Sequence, residues 1–151
     1  MKYFLKLGII FGLLIFSILI HQLYYDETYV KPKTTVAQET IQQEFNSINI
    51  LPGSIFIKSN QVSKARFTNV IGEYTTNLSY DEFYKYYIEE TKKNGWILKR
   101  DRTLGKYREL EFLKDELYLR IGYNLELENH DYSIAIRWDY DEKNKDYLIP
   151  K

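Results

Sequence analysis

Three hydrophobic periodicities follow one another along the chain. From Leu7 to Tyr25 there is no Asp, Glu, Lys or Arg, and as a helix this stretch is about 28 Å long, close to the roughly 30 Å hydrocarbon core of a bilayer. Lys2 and Lys6 precede it, Tyr3, Tyr24 and Tyr25 lie near its ends, and Asp26 and Glu27 follow. Residues 1–25 are therefore expected to be a transmembrane signal anchor, with the lipid bilayer as partner, the N-terminus cytoplasmic and the remainder extracytoplasmic. A cleaved signal peptide is the rival, since Leu7 to Ile20 has the length of an h-region. His21 to Asp26, however, offers no pair of small residues for a peptidase to read. A buried core helix would show an amphipathic face, which this uniformly apolar run lacks.

The second periodicity is helical. Tyr80, Phe83, Tyr84, Tyr87, Ile88 and Thr91 make one stripe at i, i+3, i+4, i+7, i+8 and i+11, while Glu82, Lys85, Glu89, Lys92 and Lys93 fill the far side. Ser79 and Glu82 have capping-box spacing, Leu78 and Phe83 suit a hydrophobic staple, and Asn94-Gly95 suits a left-handed stop. Upstream, residues 26–50 are expected to be a stalk with a possible short helix, which either docks on the domain or continues the stalk in frayed, semi-helical form. Its polar part, Asp26 to Lys33, contains Pro32; Thr35 and Gln38 offer a further capping box, and Ala37, Ile41, Phe45 and Ile48 make a narrow stripe.

The third periodicity is two, and it fills residues 51–150, the expected extracytoplasmic domain. Pro52-Gly53 is a turn, Ser54 to Lys58 a short edge strand followed by a polar loop, Phe67 to Thr76 a strand with Gly72 as a possible bulge, and Trp96 to Arg100 another strand. In Tyr107 to Lys114, Leu110 and Phe112 share one face, Glu109 and Glu111 the other. Leu117 to Leu127 alternates without a break, as does Tyr132 to Tyr140. A two-residue turn at Asn129-His130 would pair Leu127 with Tyr132, Leu125 with Ile134, Tyr123 with Ile136, Ile121 with Trp138 and Leu119 with Tyr140. The expected class is α+β: an N-terminal transmembrane helix, then a mostly antiparallel sheet of four to five strands with one helix on one face. Trp96 and Trp138 should both be buried against the helix stripe. The place of the Phe67 strand in the sheet is left open.

Chemistry is sparse. With 21 basic and 21 acidic residues the chain has no net charge, so the basic footprint of nucleic-acid binding is missing. No cysteine is present, which removes disulfides, thiolate metal sites, a cysteine nucleophile and a lipid-modified cysteine. The two histidines, His21 and His130, fall at the membrane boundary and in a hairpin turn. Glu126, Glu128, His130 and Asp131 have the nearest thing to a metal spacing, but such residues crowd turns as turn formers. No phosphate-cradling glycine pattern or nucleophile elbow occurs. No catalytic, metal or cofactor site is expected. Lys99, Arg100, Arg102, Lys106 and Arg108, with Asp101 and Glu109 among them, form the most basic cluster; it is expected to be a solvated, edge-protecting hairpin, with contact to an anionic headgroup or envelope polymer as the alternative if the hairpin points toward the bilayer. Glu109, Glu111, Arg120 and Arg137 should pair on the open face.

The order of a membrane segment, a Thr-rich strand, a Ser-x-x-Glu helix rich in Tyr, a Gly-Trp exit and a meander resembles small bacterial membrane-anchored envelope domains of unknown function. It covers roughly residues 51–140, through Tyr74, Leu78, Ser79, Phe83, Tyr87, Gly95, Trp96, Phe112 and Lys114. The resemblance implies no activity; many such proteins carry a lipobox cysteine, absent here. The expected function is a non-catalytic, single-pass interaction module for a protein or envelope partner. The alternatives are a small carboxylate- or metal-dependent envelope hydrolase and a structural accessory subunit of a membrane complex.

Overall fold

A computed structural model describes residues 2–126 and 130–140. The chain runs through α1 (Lys2–Tyr25), a π-helical turn (Asp26–Val30), α2 (Lys31–Ser47), β1 (Ile55–Lys64), β2 (Phe67–Thr76), α3 (Tyr80–Lys93), β3 (Ile97–Leu104), β4 (Tyr107–Lys114), β5 (Leu117–Asn124) and β6 (His130–Asp139). The class is α+β. The six strands form one antiparallel sheet in the order β1-β2-β6-β5-β4-β3. Six strands replace the expected four to five because Phe67–Thr76 fits between β1 and β6, which brings the Ile55 segment into the same sheet.

Two helices, not one, cover the inner face. A six-stranded sheet is about 29 Å wide at 4.8 Å per strand, whereas one helix with its side chains covers about 10–12 Å. α3 begins as its sequence dictates: Ser79 Oγ accepts from Glu82 N, and Ser79 N donates to Glu82 Oε2 at 3.0 Å. It ends in a Schellman motif, with Gly95 at φ +80°, Gly95 N bonded to Lys92 O and Trp96 N to Thr91 O. Phe83 and Tyr87, both fully buried, meet Tyr123 and Tyr132 at ring separations of 4.6–5.9 Å. The stripe also buries Glu90, whose carboxylate accepts from Asn49 N, Asn49 Nδ2 and Asn94 Nδ2 and so ties the end of α3 to the segment after α2.

The expected stalk is helical throughout. α1, the π-helical turn and α2 follow without interruption, and the chain enters the core at Val30, followed by Ala37, Ile41 and Ile48. Pro32 is accommodated because it falls in the first turn of α2. Thr35 caps nothing; inside a continuous helix its hydroxyl donates back to Lys31 O at 3.1 Å. Trp138, expected under α3, lies beneath α2 with Pro32, Val36 and Ala37 around it, whereas Trp96 is buried after the end of α3 with Lys114 Nζ over its ring.

Parity was predicted correctly and register was not. The observed pairs are Tyr123 with Tyr132, Ile121 with Ile134 and Leu119 with Ile136, four residues from the expected alignment. An even displacement keeps every apolar side chain inward, so alternation alone cannot detect it. β5 stops at Asn124, whose side chain accepts from Glu126 N while Leu125 N donates to Lys106 O. The strand is thus eight residues rather than running on to Leu127. Residues 127–129, and with them the Leu127 pairing and Asn129, lie outside the described residues; His130 belongs to β6, not to a turn. Gly72 is not bulged: it pairs regularly with Ser59 and Ile134, and the irregularities fall at Ile57 and Lys99. β1 is an edge strand as expected, but continues through the presumed polar loop to Lys64.

Candidate interaction surfaces

The basic cluster is divided by the strand geometry. Arg102 lies on the open face, 2.6 Å from Glu109 and 3.9 Å from Glu111, and Arg120 completes the lattice at 3.3 and 3.7 Å from the same two carboxylates. Arg137 stacks over Tyr118. Arg108 points to the other face, paired with Asp101 at 3.0 Å and over the ring of Tyr80. Lys106 covers Tyr107 at the hairpin tip, and Lys99 and Arg100 are exposed. The five residues therefore do not form one patch. The tip of this hairpin lies level with Asn124, Tyr132 and Thr76, at the end of the sheet opposite Tyr140 and Arg66, about 26 Å away by the rise of eight strand residues.

At the near end the domain meets the end of α1. Tyr25 Oη and Tyr140 Oη are 2.6 Å apart, Arg66 Nη1 donates to Asp26 Oδ1 at 2.9 Å, and Thr34 Oγ1 donates to Ala65 O at 2.6 Å. α1 is apolar and exposed on every side over its described length, and is long enough to cross a membrane. These contacts were not legible beforehand, because each joins residues at least 31 positions apart.

The two sheet edges differ. β3 is eight residues long and carries Lys99, Arg100, Asp101 and Arg102, a charged edge that resists strand pairing. β1 is ten residues long, has no carboxylate, and is exposed along its whole length, with Ile55 68%, Phe56 58% and Ile57 49% accessible. Among the described residues no strand pairs with its outer side.

Beneath α2 lies a groove of about 450 Å³ lined by Val36, Ala37, Thr40, Leu117 and Trp138, with Glu44 and Lys33 among its polar walls. The buried tyrosines stay protonated near neutrality: burial pushes the Tyr123 hydroxyl up to about 12, and burial raises those of Tyr87, Tyr132 and Tyr74 as well. Among the described residues no three His, Asp or Glu side chains come together as a metal site; of the suggested set, Glu128 and the His130 side chain lie outside them. The chain matches no protein-family model, no curated protein and no solved structure.

Proposed function

We propose that this chain is a single-pass membrane-anchored, extracytoplasmic interaction module without catalytic chemistry, and that its partner is an extended segment of another protein that adds to β1. The observation that carries this reading is the contrast between the edges. A long, exposed, apolar edge strand is a template for strand addition, which natural proteins blunt with charge where it is unwanted. β3 carries four consecutive charged residues, whereas β1 carries two separated lysines and presents the exposed run Ile55, Phe56 and Ile57 at its start. β1 carries no acidic residue, and Lys58, 3.3 Å from Glu73 of β2, is the cation midway along it, which favours a segment that is apolar and acidic. The Lys2 and Lys6 side of α1 is cytoplasmic in this reading, so protease added to the outer face should degrade the domain.

The test is a photo-crosslinker placed at Val62 on β1 or at Arg100 on β3 of the full chain in its native membrane. The expected result is an adduct with a different polypeptide from Val62 only, whose yield falls severalfold with Lys58→Glu. An adduct of the chain with itself, equal adducts from both edges, or none from Val62 would overturn the proposal.

A further inference from the structure

We infer that the near end of the domain is itself a lipid-contacting surface, in which Lys33 and Lys64 face the phosphates of the bilayer headgroups. The inference rests on α1 being a membrane span, and its argument is one of depth. Leu23 and Tyr24 are more than 60% accessible and Asp26 is the first charged residue after the apolar run, so the boundary of the hydrocarbon falls at the last turn of α1. Arg66, at 2.9 Å from Asp26, and Tyr140, at 2.6 Å from Tyr25, are held at that same level. They come from the β1–β2 turn and from the end of β6. No spacer separates bilayer and domain: five residues of π-helical turn lead from Tyr25 to the buried Val30, a rise of about 8 Å at most.

The composition of this end matches an interface. Tyr29 lies 5.3 Å from Tyr25, ring to ring, and is exposed; Arg66 and Lys33 lie 5.0 and 5.7 Å from the centre of the Tyr140 ring. Tyrosines with apolar bodies and polar tips, and long cationic side chains that snorkel, are the residues found at headgroup level. Asp26 is occupied by Arg66 and Glu27 by Lys31, and the third carboxylate of this end, Asp139, paired in the sheet with Phe67, is not without a partner either. Among the described residues Lys33 and Lys64 form no ion pair, which leaves their ammonium groups to the anion that the bilayer supplies.

Because the chain has no cysteine, single-cysteine spin labels report depth directly. Full-length protein carrying Leu14→Cys, Ala65→Cys, Ser63→Cys or Lys106→Cys is reconstituted in phosphatidylcholine vesicles with and without phosphatidylglycerol. Collisions with oxygen, which concentrates in hydrocarbon, are compared with collisions with a water-soluble nickel chelate. The expected order is hydrocarbon for Leu14, headgroup for Ala65 and Ser63, and water for Lys106. Lys33→Gln with Lys64→Gln should then raise the nickel accessibility at position 65 at least twofold, with the larger rise in the phosphatidylglycerol vesicles. Labels at 65 and 63 as wet as that at 106, with Leu14 in hydrocarbon, would overturn the inference and leave the span standing. A wet Leu14 would overturn the span itself. An unchanged double variant would overturn the role given to the two lysines.

Discussion

α2 and α3 lie on the same face of one sheet, yet they are specified in opposite ways. α3 carries its own boundaries: a capping box at Ser79 and Glu82, and a left-handed glycine stop. α2 has no side-chain cap; its N-cap position, Val30, is itself helical because the chain arrives already wound from α1. What places α2 is what it touches: Val30, Ala37 and Ile41 in the core, Thr34 on the β1–β2 turn, and Glu44 at 2.6 Å from Lys114. Most helical stability in proteins comes from packing of an apolar face, so α2, which has no side-chain cap, depends on docking whereas α3 adds local stability to it. The first consequence is mechanical: α2 joins the anchor to the sheet, and α3 touches only the domain.

The largest effects should come from the core residues under each helix. Phe83→Ala is expected to cost about 3–5 kcal/mol, and Trp138→Ala, under α2, about the same. What separates them is where protection is lost. Hydrogen exchange on the full chain in micelles should show Phe83→Ala loosening α3 and the sheet together, and Trp138→Ala releasing α2 amides first while α3 amides stay protected. Simultaneous loss in both variants would mean that the helices form one cooperative unit and that the contrast has no energetic content.

A smaller test addresses the α2 contact alone. A methyl group on Gly72 would sit 2.6 Å from Tyr74 Oη and 2.8 Å from Phe45 Cζ, so Gly72→Ala should cost about 1–3 kcal/mol by overpacking. Denaturant unfolding would measure it, and Phe45→Ala in the same background should recover part of the loss. A neutral Gly72→Ala would show that Phe45 and Tyr74 move aside freely.

The same contrast explains what could be read from the sequence. α3 was legible to its caps because Ser79, Glu82 and Gly95 act within a few residues of their targets. The inward parity of β4, β5 and β6 was legible because alternation is a local pattern. The Ile57 bulge, the four-residue offset of β5 on β6 and the place of β2 were not, since each depends on which distant strand supplies the partner. Whether α2 docks or merely continues the stalk is not decided by the sequence, because its stripe of Ala37, Ile41, Phe45 and Ile48 is too narrow to declare that a sheet lies beneath it. The basic residues looked like one patch because adjacency in sequence hides the alternation that sends Arg102 and Arg108 to opposite faces.

The α3 cap should be worth less than its packing. Ser79→Ala is expected to cost about 0.5–2 kcal/mol. A pH dependence accompanies it, because the Ser79 hydroxyl and then the Ser79 backbone N–H hold the Glu82 carboxyl below its usual range. A lowered folded pKa gives stability that is fully present above the unfolded carboxylate value near 4.3 and is lost as pH falls through the folded one. Urea titrations should therefore show wild type and Ser79→Ala converging in acid and separated at neutral pH. A constant difference would assign the cap to the hydroxyl–backbone bond alone.

The smallest effect is expected where neither helix reaches. Glu111 sits on the open face opposite Phe112, and its two arginine partners stand 3.7 and 3.9 Å away, beyond hydrogen-bond range. Its neighbour Glu109 takes the shorter contacts with both Arg102 and Arg120, so removal of Glu111 leaves no arginine without a carboxylate. The Glu111 side chain is only 14% exposed, but ion pairs longer than a hydrogen bond with half-exposed arginines contribute little, and Glu111→Ala should change stability by less than about 0.5 kcal/mol. Glu109→Ala, which strips the short contacts from two guanidinium groups at once, should cost more than Glu111→Ala. Equal and large losses from both would mean that the outer face works as a second packed layer, and the division between a covered face and an open one would have to be given up.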